Sequence, residues 1–166
     1  MIVLIAGLPG SGKSFFAERL AGRMNACHLN IDAIRQEMRA RGSYSFQDKL
    51  IVYNEMLKRT ALLAFQNKDV VVDATFYHHT MREMFISWAK EQSVRVAIIE
   101  VVADEKLVNE RVGKPRKFSE ADYAVYEKVR DEFEEITMPH LILESTDENI
   151  EKMLEKAGKF LRHSSI

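Results

Sequence analysis

The sequence contains a single cysteine, Cys27, so no disulfide can close within the chain, and a reducing, cytoplasmic setting is the expectation. It has only three prolines, Pro9, Pro115 and Pro139, and no repeat, low-complexity tract or linker, so one domain over residues 1–166 is expected. No apolar run approaches the roughly 18–20 residues that would span a bilayer, and no secretory pattern opens the chain, so no membrane partner is expected. Charge of one sign is not in excess either. The 24 Lys+Arg against 25 Asp+Glu give a net charge of −1. That excludes a non-specific nucleic-acid coat held by bulk charge, while leaving room for a local basic groove. What remains is 46% hydrophobic and 30% charged, a globular balance.

Short apolar, β-branched runs recur at 2–6, 27–31, 70–73, 94–102 and 140–143. Between them, stretches with helical spacing fill 13–24, 33–41, 46–67, 80–92, 105–112, 119–134 and 148–162. Continuously apolar strands alternating with helices predict a parallel sheet buried on both faces, the α/β class. Ligands of such sheets bind at the carboxyl ends of the strands, which directs attention to residues 7–14, Asp32, 73–75 and 103–104. A further loop, residues 113–118, concentrates positive charge between two helices.

Residues 7–14 read Gly-Leu-Pro-Gly-Ser-Gly-Lys-Ser, a full G-x-x-x-x-G-K-[ST] match. A random window matches this pattern about once in 10⁴–10⁵, and here a strand precedes it and a helix follows. The pattern predicts a phosphate cradle of Gly7, Pro9, Gly10, Ser11, Gly12, Lys13 and Ser14. Its backbone N–H groups would face a nucleotide at a helix N-terminus. Lys13 is expected to reach the β- and γ-phosphates of ATP, and the Ser14 hydroxyl to ligate Mg²⁺. Phe15 stands where many such loops have a second hydroxyl, and it is expected to pack under the loop.

The rest of the chain separates classes of P-loop protein. The string Asn67-Lys68-Asp69 has its Asp one place early for a guanine-reading motif. The strand at 70–72 ends in Asp73 followed by Ala74, so the carboxylate that could hold Mg²⁺ through water is present. The adjacent Glu that activates water in motor and transporter ATPases is absent. This favours phosphoryl transfer to a bound hydroxyl over hydrolysis, with Asp73 and Thr75 placed where an acceptor would bind. Asp32 follows the second strand and Arg35 lies three residues on, one helical face. Asp32 could take the acceptor's proton while Arg35 grips an anionic part of the same molecule. Alternatively, Asp32 merely caps the helix at 33–41. Residues 111–117 carry four cations, Arg111, Lys114, Arg116 and Lys117, with Gly113 and Pro115 between them. They read as a lid whose Arg111 and Arg116 meet phosphate, or as a solvated loop. His78 and His79 alone make a poor metal site, Trp88 is expected in the core, and Tyr44 and Phe46 are placed either to stack on a base or to pack.

Taken in order, the phosphate loop, Asp32-x-x-Arg35, residues 70–75 and the Arg111/Arg116 loop resemble the P-loop polynucleotide 5′-kinases. These include the phage-type enzyme and the kinase domains of bacterial end-healing proteins, and the resemblance runs from residue 1 to about 134. It implies a five-stranded, adenylate-kinase-like sheet flanked by helices, with a helical lid at about 111–118. It also implies ATP and Mg²⁺ on Lys13 and Ser14, and Asp32 as general base for the 5′-OH end of DNA or RNA. Arg35 would hold the acceptor's 3′-side phosphate, and Arg111 and Arg116 the ATP phosphates. The lid arginines are spaced by five residues where the family has four, which makes Lys114 or Lys117 possible substitutes. A place within a larger end-healing enzyme stays open. So do the related small-molecule kinases of sugars, nucleosides and antibiotics, and a nucleotide-dependent switch with slow hydrolysis.

Overall fold

A computed structural model describes residues 1–39, 45–112 and 123–163. The strand β1 (Ile2–Ala6) lies at the centre of a five-stranded parallel sheet of order β2-β3-β1-β4-β5. Its partners are β3 (Val70–Asp73), in register Ile2↔Val70 to Ile5↔Asp73, and β4 (Val96–Val102), in register Ile2↔Val96 to Ala6↔Glu100. The strands β2 (Cys27–Asn30) and β5 (Leu141–Glu144) form the two edges. The chain leaves β1 for the far edge and later returns to β1's other side, so the strand order reverses beside β1. A crevice opens there at the carboxyl ends, and the fold delivers residues 7–14 into it.

Alternation along the strands separates two cores. Ile2, Leu4, Val70, Val72 and Ile98 face α3 (Phe46–Phe65) and α4 (His79–Glu91), packing with Met56, Met81 and Phe85. Val3, Ile5, Val71, Ile99 and Val101 face α1 (Lys13–Met24) and α7 (Ile150–His163), packing with Phe16, Leu20 and Leu154. Every residue of β1 is completely buried, which is why the run is continuously apolar rather than alternating. The short helix α2 (Ile31–Glu37) follows β2. The helices α5 (Glu105–Val112) and α6 (Tyr123–Asp131) lie between β4 and β5.

Several boundaries differ from the sequence reading, and three of them have clear local reasons. Strand β4 begins at Val96 because the Val94 N–H still closes the end of α4 on the Ala89 carbonyl at 2.8 Å, after Ser93 turns left-handed at φ 54. Helix α2 begins two residues early because Asn30, not Asp32, is its cap. The Asn30 side chain accepts the Ala33 N–H at 3.0 Å. Helix α2 then ends at Glu37, and Arg39 takes φ 56. Among the described residues, no helix is long and apolar enough to cross a membrane.

Candidate active site

The loop 7–14 joins β1 to α1 and is held from below. The Gly7 N–H donates to the Thr75 carbonyl at 3.3 Å, and the Ser11 N–H to Leu8 at 3.1 Å. Gly7, Gly10 and Gly12 adopt φ of 148, 80 and 88, values that side-chain-bearing residues rarely take. A Cβ at Gly7 would stand 2.4 Å from the Val101 carbonyl oxygen of β4, backbone that cannot give way. Gly7→Ala therefore should cost about 1–3 kcal/mol in backbone strain alone. A melting point lowered by about 4–8 °C for ~2 kcal/mol is the expected calorimetric result. No side chain caps α1, so its first N–H groups remain directed at the crevice. Ser11 is 1% exposed, and its hydroxyl has no hydrogen-bond partner among the described residues. A cradle of inward N–H groups with an orphaned hydroxyl fits a phosphate chain.

Asp73 ends β3 beneath this loop, with no exposed surface. Its Oδ2 accepts from Asn30 Nδ2 at 2.6 Å and lies 3.5 Å from His28 Nε2. The same Asn30 amide reaches Ser14 Oγ at 3.5 Å. Burial alone would raise the Asp73 carboxyl, but His28, Lys13 and Ser14 outweigh it and hold it below the ordinary carboxylate value. Its Oδ1 is buried with no hydrogen-bond partner among the described residues. An ionised carboxylate with a free oxygen, close to a hydroxyl at the loop's end, is a donor set suited to hydrated Mg²⁺. The fit therefore rests on Ser14 and Asp73, with Asn30 bridging them.

Asn30 also ties this centre to the second half of the site. By capping α2 it fixes the helix that carries Asp32 and Arg35, whose side chains pair at 2.7 Å, Nη1 donating to Oδ1. The Arg35 side chain is 13% exposed and that of Asp32 31%. The capping alternative for Asp32 falls away, since Asn30 fills that role. Helix α3 flanks the pair. The Phe76 N–H donates to Tyr53 Oη at 2.9 Å, and Lys49, one turn before Tyr53, donates to Tyr77 Oη at 3.1 Å. Burial raises the Tyr53 hydroxyl well above the ordinary tyrosine value, which keeps it a neutral strut.

Arg111, on the last turn of α5, turns toward the loop. Its Nη1 donates to Ser145 Oγ at 3.1 Å and faces the Gly10 and Ser11 carbonyls at 3.5 and 3.4 Å, while Nη2 pairs with Asp147 at 2.9 Å. The guanidinium is thus docked on the cradle's outer wall. Gly113, Lys114, Pro115, Arg116 and Lys117, the remainder of the expected lid, lie outside the described residues, as does Tyr44. Phe15 corrects the sequence reading. It is 53% exposed, with the Arg19 guanidinium 3.3 Å from its ring centroid, and Phe16 is the residue that packs inward. Trp88 sits at the core margin against Phe65 rather than within it. Phe46 packs edge-on against His78 at 4.9 Å.

His78, His79 and Glu134 bring three potential ligand atoms within 4.8 Å of one another, but hydrogen bonding uses them up. His78 Nδ1 accepts the Thr80 N–H at 3.2 Å as the cap of α4, so its proton resides on Nε2, which faces Glu134 Oε1 at 3.3 Å. A metal on Nε2 would cost that cap. The backbone N–H of His79, more than its ring, holds Glu134 below the ordinary glutamate value. The trio fastens the segment after α6 to the start of α4.

A family model described as an AAA domain matches residues 2–136. The chain belongs to that family. The AAA-domain protein is also similar in fold to several solved kinases. It is 19% identical to the APS kinase of Mycobacterium tuberculosis, solved with AMPPNP and APS, over 97% of this chain and 96% of that one, with a TM-score of 0.76. A sugar kinase from Janibacter sp. gives 0.76 at 14% identity over 97% and 94% of the two chains. A gluconokinase from Sinorhizobium meliloti gives 0.72 at 14% identity over 98% and 97%. The fold of this AAA-domain protein is therefore that of the P-loop kinases, five parallel strands between helices.

Several residues at the site escape a reading of motifs. Asn30, His28, Lys49, Tyr53, Ser145 and Asp147 lie outside any pattern. Ser145 had a signal, because it follows β5 and the strand-end rule applies to that strand as well. Its backbone N–H is anchored on Val102 at 2.7 Å.

Proposed function

We propose that this AAA-domain protein transfers the γ-phosphate of ATP to a hydroxyl, with the 5′-OH end of DNA or RNA as the acceptor. The observation that carries the reading is the Asn30 bridge. One side chain joins the Ser14–Asp73 pair of the phosphate cradle to the helix presenting Asp32 and Arg35. In this reading the cradle and Lys13 hold the triphosphate, while Arg111 sets the position of the loop from outside. Ser14 and Asp73 would hold Mg²⁺, which supplies charge neutralisation on the phosphate oxygens when bound. Asp32 accepts the acceptor's proton, and Arg35 orients both that carboxylate and the acceptor's 3′-side phosphate. Arg116 is assigned to the ATP phosphates by the resemblance alone. A cytoplasmic location and membership of a larger end-healing enzyme belong to the same proposal.

Arg35 separates this reading from a kinase of sugars or other small neutral alcohols, to which the fold of the sugar-kinase neighbours lends weight. A charge-assisted hydrogen bond to phosphate is worth roughly 10- to 150-fold in kcat/KM. The wild type is expected to use a nucleoside 3′-phosphate well and a bare nucleoside poorly, and Arg35→Ala to erase most of that preference. Comparing both proteins on both acceptors at two ionic strengths checks it, because salt screens general anion attraction more than a direct contact. Equal losses on the two acceptors would make Arg35 structural, and the small-molecule reading would then lead.

A further inference from the structure

We infer that His28 is a positioning residue for the metal carboxylate: together with Asn30 it holds Oδ2 of Asp73, which reserves Oδ1 for hydrated Mg²⁺. The inference rests on the Mg²⁺ role given to Ser14 and Asp73 above and deepens it. The strand register brings these residues together. His28 lies opposite Val71, and Asn30 opposite Asp73, across the β2–β3 pair. Side chains alternate along a strand, and residues paired in register share a face. Val71 packs into the core beside α1 and α7, while Leu29 packs against the opposite one. His28, Asn30 and Asp73 therefore stand on the face where α1 begins, with Ser14 Oγ 3.5 Å from the Asn30 amide.

A carboxylate does not by itself give its two oxygens different roles, because the last torsion of aspartate is broad and nearly two-fold. Neighbouring donors must mark one of them. Oδ2 has Asn30 Nδ2 at 2.6 Å and His28 Nε2 at 3.5 Å, whereas Oδ1 has no hydrogen-bond partner among the described residues. The His28 side chain is 25% exposed, as its edge strand allows, yet its Nε2 is buried and closes no hydrogen bond there. The ring nitrogen that faces a carboxylate is the one that carries the hydrogen, since opposed lone pairs would repel. An ordinary N–H···O separation is about 2.9 Å, so a shift of about 0.6 Å completes the contact. With Asn30 as the one donor, the carboxylate could swing; a second donor from two residues earlier on the same strand holds it. Partners of this kind, which orient a ligand without touching the metal, are worth about 10- to 100-fold in metal affinity.

The experiment compares wild type, His28→Leu, His28→Gln and His163→Gln, the last an exposed histidine at the end of α7. Glutamine carries its amide nitrogen as many bonds from Cα as Nε2, whereas leucine offers no donor. The probe is Mn²⁺, titrated into protein held in excess over a non-hydrolysable ATP analogue and read by electron paramagnetic resonance. His28→Leu should weaken Mn²⁺ binding by about 10- to 100-fold, with affinity for the analogue in EDTA within about 2-fold of wild type. His28→Gln should restore most of the loss, and His163→Gln should match wild type. In turnover the defect should appear in the KM for Mg²⁺ more than in kcat at saturating metal. Should His28→Leu fail to fold, His28→Asn, whose amide stops one bond short, takes its place. Unchanged Mn²⁺ affinity, an equal loss in EDTA, or no rescue by glutamine would overturn the inference and leave the kinase reading intact. Wild type that holds no Mn²⁺ beside the analogue would overturn the metal role of Ser14 and Asp73 as well. No acceptor enters the titration, so its outcome is independent of which hydroxyl is phosphorylated.

Discussion

Lys13→Ala should abolish phosphoryl transfer, lowering kcat/KM by at least about 10³-fold in a protein that still folds. Little covalent chemistry falls to the protein in this reaction, so positioning and charge supply nearly all the acceleration. Lys13 is the cation that the cradle itself provides, at the first residue of α1, and its field already helps to keep buried Asp73 ionised. Removing it therefore takes away a charge-assisted contact to phosphate and weakens the electrostatics of the neighbouring carboxylate. The fold gives no reason for collapse. Lys13 is half-buried and belongs to neither core cluster, and the loop's backbone is fixed by Gly7, Ser11 and Phe16 N–H groups instead. Transfer from γ-labelled ATP, alongside a thermal melt, makes the check. Substantial activity in folded Lys13→Ala would overturn the nucleotide site and every role built upon it.

The parts of this site that were legible in the sequence are those governed by short-range rules. Residues 7–14 are recognisable because a phosphate-wrapping backbone needs glycine at fixed places. Strands β1 and β3 match their expected runs residue for residue because every position is buried, Asp73 at the end of β3 included. Asp32 and Arg35 follow from helical spacing and do meet, at 2.7 Å. The start of α2 is not fixed locally, because Asn30 and Asp32 are both favoured capping residues two positions apart. What decides between them is the neighbouring strand. Asn30 pairs in register with Asp73, so its amide has a carboxylate to hold, and the helix starts there. That register exists only once β2 lies beside β3, a long-range fact with no local trace. Lys49 and Tyr77 were hidden for the same reason, since 28 positions separate the two partners. Arg111 was visible as part of a cationic cluster. Its docking on Ser145 and Asp147, more than 30 residues later, was not.

Asp32→Asn should lower kcat by roughly 10²-fold or more while leaving ATP binding close to wild type, because general base catalysis contributes about 10²–10⁴. The structure makes this substitution unusually clean. Asn30 caps α2, so no cap is lost, and the asparagine carbonyl can still accept the Arg35 Nη1 hydrogen. What disappears is one negative charge in the first turn of a helix, worth about 0.3–1 kcal/mol to stability, and the ability to take a proton. A small loss of stability with a large loss of kcat is the signature of a base. A comparable loss of both points to a structural anion holding Arg35 in place. The two are resolved by measuring kcat under saturating acceptor, the affinity for a non-hydrolysable ATP analogue, and the melting temperature of the same preparation. Near wild-type turnover in Asp32→Asn would mean that the acceptor's proton leaves by another route. The Asp32–Arg35 pair would then serve only to aim the guanidinium, and the search for the base would move to the remaining carboxylate of the centre, Asp73.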